Sequence, residues 1–178
     1  MKLPVPLILL GLCMALTTVS RGQTAMDNLI SLPLQDSGPK GHKFLLAAVK
    51  AVNLDEILVE AGPFTVFAPS DAAFDKYANG NMEELLIYGN KSELKSLVSY
   101  YIVAGQFTAS QILKSLSRGN GRTSFTTIHG KKLLAHMEGT DIVLTDPMGN
   151  TAKITSADLS LDNGVVHEID RVILPSLR

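Results

Sequence analysis

Phe64-Thr65-Val66-Phe67-Ala68-Pro69-Ser70-Asp71-Ala72-Ala73-Phe74 passes from a strand into a helix within eleven residues. Val66 and Phe67 belong to a buried β-strand, and Pro69 stops it because proline brings no backbone N–H to a ladder. Ser70 is placed to cap the helix that follows, and Asp71 sits in its first turn, where a negative charge complements the positive end of the helix dipole. Phe74 then packs back toward the strand. A second decisive stretch begins about 100 residues after the first, running from Asn163 and Gly164 through Val165, Val166, His167, Glu168, Ile169 and Asp170 to Pro175. Asn163 with Gly164 turns the chain. Strand alternation then groups Val165, His167, Ile169 and Ile173 on one face and Val166, Val172 and Leu174 on the other, and burial of both faces predicts a central strand. Among apolar neighbours His167 reads as a hydrogen-bonded core histidine, with a ligand or catalytic base as the competing reading.

Between and before these stretches the chain changes period. Phe44, Leu45, Ala48, Val49 and Val52 recur at helical spacing, and Asn53 with Glu56 predicts a capping box that restarts the chain as a second short helix through Val59. Gly62 and Pro63 end it. The same start signal returns at Asn90 with Glu93 and at Thr108 with Gln111. After these helices come β-branched, alternating segments at Thr123 to Ile128, Lys132 to His136, Ile142 to Thr145, Ala152 to Thr155 and Val165 to Leu174, separated by turn residues. Helices in the first half and strands in the second indicate an α+β domain.

The first 22 residues read as an export signal: Lys2, an apolar run from Val5 to Leu16, and small residues Ser20 and Gly22 before cleavage, with Ala25 as the alternative site. The apolar run is shorter than the roughly 18 residues a membrane span requires. Residues 23–41 form a Pro- and Gly-containing lead-in with one short helix expected near Asp27 to Ser31, and residues 42–178 form the domain proper. The 178 residues, 46% hydrophobic and 19% charged, suit one domain of ordinary size. The formal charge of minus one becomes mildly acidic once Lys2 and Arg21 are removed, leaving 14 basic against 17 acidic side chains. No surplus of positive charge invites nucleic acid. The one cysteine, Cys13, leaves with the signal, so packing rather than a disulfide must hold the domain.

A search for chemistry returns little. The histidines, His42, His129, His136 and His167, lack the close spacing of a metal site on one helix or hairpin, and no GxSxG elbow occurs, so neither a metal, a cofactor nor an enzymatic site is expected. Gly119, Asn120, Gly121 and Arg122 read as a turn before a strand rather than a phosphate loop, for lack of a preceding strand and a following helix. Lys131 and Lys132, the one adjacent basic pair, are too few for a nucleic-acid or heparin patch. Asn90-Lys91-Ser92 is an acceptor sequon for N-glycosylation, although Asn90 as a helix cap also accounts for Glu93.

Together the two decisive stretches resemble the paired signatures of the fasciclin-type adhesion domain, and Leu97 to Gly105 resembles its central segment. The residues carrying the resemblance are Phe64, Pro69, Ser70, Asp71 and Phe74 in the first signature and Asn163, Gly164 and His167 in the second. The resemblance runs from about His42 to Pro175. It implies a compact wedge, a β-sandwich of two packed sheets with several short helices along one side. It also implies an exported, non-enzymatic module, periplasmic or extracellular, that mediates cell-surface or matrix adhesion by recognising a protein or glycan. A periplasmic or secreted small-ligand-binding protein is the alternative. Where the family's central segment reads tyrosine then histidine, this chain has Tyr100 followed by Tyr101. The Asp-Ile pair that the family implicates in adhesion has its counterpart in Asp158 and Leu159, with Asp158 also readable as a turn aspartate. Asp158, Leu159, Tyr100 and Tyr101 are thus the binding residues the resemblance implies.

Overall fold

The structure, a computed structural model, describes residues 41–78, 90–161 and 163–176. The expected export signal, the lead-in as far as residue 40 and its short helix lie outside the described residues.

Two helices open the described chain, α1 (Lys43–Ala51) and α2 (Leu54–Glu60). They lead into strand β1 (Phe64–Pro69) and then helices α3 (Asp71–Ala78) and α4 (Lys91–Tyr100). A three-residue strand β2 (Ile102–Ala104) precedes helix α5 (Ala109–Arg118). Five strands complete the chain: β3 (Arg122–Thr126), β4 (Lys132–Glu138), β5 (Asp141–Thr145), β6 (Thr151–Leu161) and β7 (Gly164–Ile169).

The two signature stretches are spatial neighbours. β1 and β7 pair in parallel from Phe64 opposite Gly164 to Pro69 opposite Ile169. Both have antiparallel partners on their outer sides, β2 against β1 and β6 against β7, so the expected central position of the last strand holds. A close backbone approach fixes the start of this pairing. A Cβ on Gly164 would lie 2.0 Å from the Phe64 carbonyl oxygen, so only glycine lets the strands meet there. Asn163 secures the same corner, its amide Nδ2–H donating to the Leu58 carbonyl at 2.6 Å while its own carbonyl accepts from Phe64 N–H.

One correction concerns the layers. In place of two separate packed sheets, seven strands follow one hydrogen-bonded order, β2-β1-β7-β6-β5-β4-β3. The order nearly closes on itself, because the Ile128 N–H beyond β3 donates to the Ile102 carbonyl of β2 at 2.8 Å and Val103 bridges Thr127. β6 makes the bend possible. It is far longer than the Ala152 to Thr155 segment expected, pairing with β5 at its start and with β7 through Leu161. Between Ile154 and Leu159 it carries one extra residue at each of two places relative to β7, and such bulges bend a strand and increase its twist. α5 covers the core with Ile112 and Leu116, each worth about 1.5–3 kcal/mol of apolar burial. Phe67, Phe125, Leu133, Leu144 and Ile169 belong to the same continuous core.

Local signals differ in how well they survive. Thr108 and Gln111 form the full reciprocal capping box of α5, and the Ser92 N–H donates to Asn90 Oδ1 at the start of α4. Asn53 makes no side-chain cap. It adopts a left-handed conformation, φ 55°, which asparagine tolerates, and serves as the corner between α1 and α2. The last strand stops at Ile169, short of the expected Leu174: the Asp170 N–H still reaches the Lys153 carbonyl of β6, but the Lys153 N–H is taken by the Asp170 carboxylate Oδ1 at 2.7 Å in place of a main-chain acceptor.

Candidate binding surface

His167 is the polar centre of β7, with no solvent exposure, and its ring stacks on Phe67 at a centroid distance of 5.6 Å. Its Nδ1 accepts from the Asp158 backbone N–H at 3.3 Å. Nε2 must therefore carry the proton, donating to the Phe107 carbonyl at 2.7 Å. Burial pushes the imidazole below its ordinary pKa, opposed in part by the Phe107 carbonyl and the Asp158 carboxylate. A neutral ring with both nitrogens engaged by the main chain has no free lone pair for base catalysis or metal ligation. The core reading of His167 holds.

Asp158 occupies the second bulge of β6 with φ 61° and sits at the surface. Its Oδ1 accepts from the N–H of Ala109, the first residue of α5, at 2.8 Å. The carboxylate thus caps a helix 49 positions away instead of a local turn. Leu159 is half-buried opposite Val166. Asp71 does the same task elsewhere: Oδ1 accepts from Phe44 N–H at 3.0 Å and Oδ2 from Lys43 N–H at 3.1 Å, which caps α1. Ser70 caps α3 as its position indicates, its Oγ accepting from Ala73 N–H at 3.3 Å. Phe74 is buried against Phe44, ring centroids 4.2 Å apart.

Tyr100 and Tyr101 are fully buried, which corrects their reading as contact residues. Tyr101 donates its hydroxyl to the Ile173 carbonyl at 2.9 Å and Tyr100 to the Lys132 carbonyl at 3.1 Å. Burial drives both phenols well above their ordinary pKa, so both stay neutral donors.

An apolar groove of about 230 Å³, unforeseen in the sequence, opens where α3 and α4 face the C-terminal segment. Phe44, Tyr77, Leu94, Leu97, Met148 and Leu174 supply its apolar lining, with Asn90, Glu93 and Ser96 as its polar members. Asp146, outside the lining itself, holds its Met148 and Leu174 walls together. Although only 2% exposed, it accepts four hydrogen bonds: Met148 N–H and Asn150 N–H to Oδ1, the Asn150 side-chain amide and Leu174 N–H to Oδ2, all at 2.8–2.9 Å. These bonds tie the β5–β6 turn to the C-terminal segment and leave Met148 66% exposed beside Leu174. Asn90 is exposed at the groove and remains the glycan-acceptor candidate. Among the described residues no three His, Cys, Asp or Glu side chains converge to hold a metal ion, and no helix is long and apolar enough to cross a membrane.

Comparison with known proteins gives these features a family. The profile of the Fasciclin domain matches residues 40–175. Protein sll1483 of Synechocystis sp. is 34% identical over 155 residues, spanning 87% of this chain and 79% of that protein. The transforming growth factor-beta-induced protein ig-h3 of Sus scrofa is 29% identical over 160 residues, which cover 84% of this chain and 21% of that longer protein. Among solved structures, a FAS1 domain pair from the insect cell adhesion molecule Fasciclin I shares the fold with a TM-score of 0.56 and 23% identity, over 74% of this chain and 44% of that one. With its two signature stretches paired strand to strand and nearly all of the described domain inside the matched span, the chain belongs to the fasciclin-domain family.

Proposed function

We propose that the chain is an exported, non-enzymatic interaction module that mediates cell-surface or extracellular-matrix attachment through recognition of a protein or a glycan. The observation that carries this reading is the occupation of the signature polar groups. Both nitrogens of His167 and the carboxylates of Asp71 and Asp158 are bonded to main chain, so the signatures supply a scaffold and recognition falls to the outer surface. Kinship with an insect cell adhesion molecule supports attachment as the task, and the Lys2 to Gly22 pattern supports export.

The test is attachment of native-host cells or matrix to a surface coated with residues 23–178, beside an Asp158→Ala variant. Attachment above that of an unrelated domain is expected, and attachment no better than that domain overturns the reading. Loss of attachment in a folded Asp158→Ala variant assigns Asp158 to the contact surface, whereas equal attachment leaves it as a cap.

A second reading, binding of a small apolar ligand, is favoured by the groove. Its volume is below the roughly 300–1,000 Å³ usual for drug-sized ligands, which places this reading second. Saturable binding of an apolar fluorescent probe that Met148→Asp abolishes is its expected signature; a probe signal indifferent to that substitution removes it.

A further inference from the structure

The near-neutral net charge conceals a segregation. All 17 acidic residues lie outside residues 94–137, whereas that stretch carries Lys95, Lys114, Arg118, Arg122, Lys131 and Lys132. The fold gathers most of these cations. Lys114 and Arg118 stand four residues apart on α5, hence on one helical face, and both are exposed. The turn Gly119 to Gly121 follows at once, closed by Gly121 N–H to the Leu116 carbonyl at 2.8 Å, and delivers Arg122 to the start of β3. On the outward side of the β3–β4 hairpin, Arg122, Ser124 and Thr126 lie opposite His136, Leu134 and Lys132. Lys132 Nζ donates to Thr126 Oγ1, a neutral partner, at 2.7 Å. The lysine and arginine ion pairs among the described residues join Lys153 to Glu138 and Asp141, and Arg171 to Asp170, and so leave Lys114, Arg118 and Arg122 without a carboxylate. Asp158 caps the opposite end of α5, about 15 Å along the helix from Arg118.

We propose that the face formed by α5, the Gly119–Gly121 turn and the β3–β4 hairpin binds an anionic polysaccharide, whose sulfate or carboxylate groups lie along Lys114, Arg118 and Arg122. This deepens, and rests on, the reading of the chain as a module of the cell exterior. Adjacent basic residues in sequence were too few for such a patch, because its members come from a helix face and a strand face that only folding brings together. Ser117, Asn120, Ser124 and Thr126 set hydroxyl and amide groups among the cations, suited to sugar hydroxyls. Nucleic acid fits less well, since Phe125, the one Phe, Tyr or Trp between Ala109 and Glu138, is buried and offers no stacking platform.

The test measures retention of the purified full-length protein on immobilised heparin, as the sulfated probe, and on polygalacturonate, as the carboxylated one. Dextran, a single-stranded oligonucleotide and phosphatidylserine vesicles serve as the other arms. One variant combines Lys114→Glu, Arg118→Glu and Arg122→Glu. A control of identical net charge combines Lys43→Glu, Lys50→Glu and Lys76→Glu on α1 and α3, and thermal melting checks that both fold. Retention at about 0.15 M salt on heparin, polygalacturonate or both, but not on dextran, is expected. The face variant should lose it, its salt slope falling by about three, while the control keeps it. Equal loss in both variants, retention unchanged in the face variant, or tighter binding to the oligonucleotide or the vesicles overturns the proposal. Cell attachment without retention on either polysaccharide overturns the polysaccharide face alone, and absence of both overturns the adhesion reading with it.

Discussion

Replacing His167 by aspartate should cost the domain most of its stability, and the structure supplies the reckoning. The imidazole satisfies two buried main-chain groups at once, the Phe107 carbonyl and the Asp158 N–H. An aspartate on this strand cannot donate to Phe107, so that carbonyl is left without its donor, at about 1–3 kcal/mol. The shorter side chain also abandons the stack on Phe67 and places a carboxylate in a fully buried position close to that of Asp158. An unpaired buried charge adds several kcal/mol, so a total of about 4 kcal/mol or more is expected against the 5–15 typical of a whole domain. Glutamine is the informative partner variant, because its amide offers one donor and one acceptor and does not titrate; its cost should be about 1–2 kcal/mol. The assay is urea unfolding of the wild type, His167→Asp and His167→Gln, followed from neutral pH into acid. The sign of the pH effect follows from linkage. With a folded pKa below 6.5, the unfolded chain binds the proton first, so stability is complete above about 6.5 and declines as pH falls toward the folded pKa. His167→Gln should lack that part of the acid decline. An unchanged unfolding midpoint in His167→Asp, or a wild-type acid decline retained in His167→Gln, would refute the account of this residue.

Three further substitutions probe the same scaffold. Gly164→Ala should break the first pairing of β1 with β7, since the added Cβ falls 2.0 Å from the Phe64 carbonyl oxygen; a melting temperature within error of wild type would show that the strands can part there freely. Asp158→Ala removes the cap from Ala109 and should cost about 1 kcal/mol, read by calorimetry together with faster hydrogen exchange in the first turn of α5; unaltered exchange there would deny the cap. Asp146→Ala strips four hydrogen bonds from the β5–β6 turn and the C-terminal segment, with an expected loss of about 3 kcal/mol or more and faster proteolysis near Met148; preserved protease resistance would contradict the clamp.

Legibility in the sequence followed the range of the interaction. Thr108 with Gln111, Asn90, and Ser70 before α3 were readable because each bonds within four residues of itself. β7 was readable as central because Val165 and Ile169 on one face and Val166 on the other put apolar side chains on both of its sides. Asn53 misled because the same asparagine that can cap a helix can also turn a corner at positive φ, and the choice belongs to the packing of α1 on α2. β6 was underestimated because its residues beyond Thr155 lose alternation at the bulges, and β2 was missed because three residues carry no period. The groove was illegible, since Phe44, Tyr77, Leu97 and Met148 come from separate segments joined by packing alone.

The site residues that the resemblance implied resolve by the same physics. Asp71 and Asp158 each look like local turn or first-turn acids, yet each spends its carboxylate on the amino end of a different helix, α1 in one case and α5 in the other. A helix start leaves backbone N–H groups unsatisfied and a positive partial charge, so a carboxylate anchored on a neighbouring element is held there by both effects. Asp71 follows β1 and Asp158 interrupts β6, so the sheet itself positions both acids and locks the helices that flank it. An acid held in this way is poorly placed to meet a partner, because leaving the helix exposes an uncapped end. The arginines at Arg118 and Arg122 are in the reverse situation, at the carboxyl end of α5 and the start of β3, where among the described residues no carboxylate pairs with them. On the proposed reading cations serve attachment and anions serve structure, and the triple charge reversal on α5 and β3 against its matched control on α1 and α3 is the comparison that decides it.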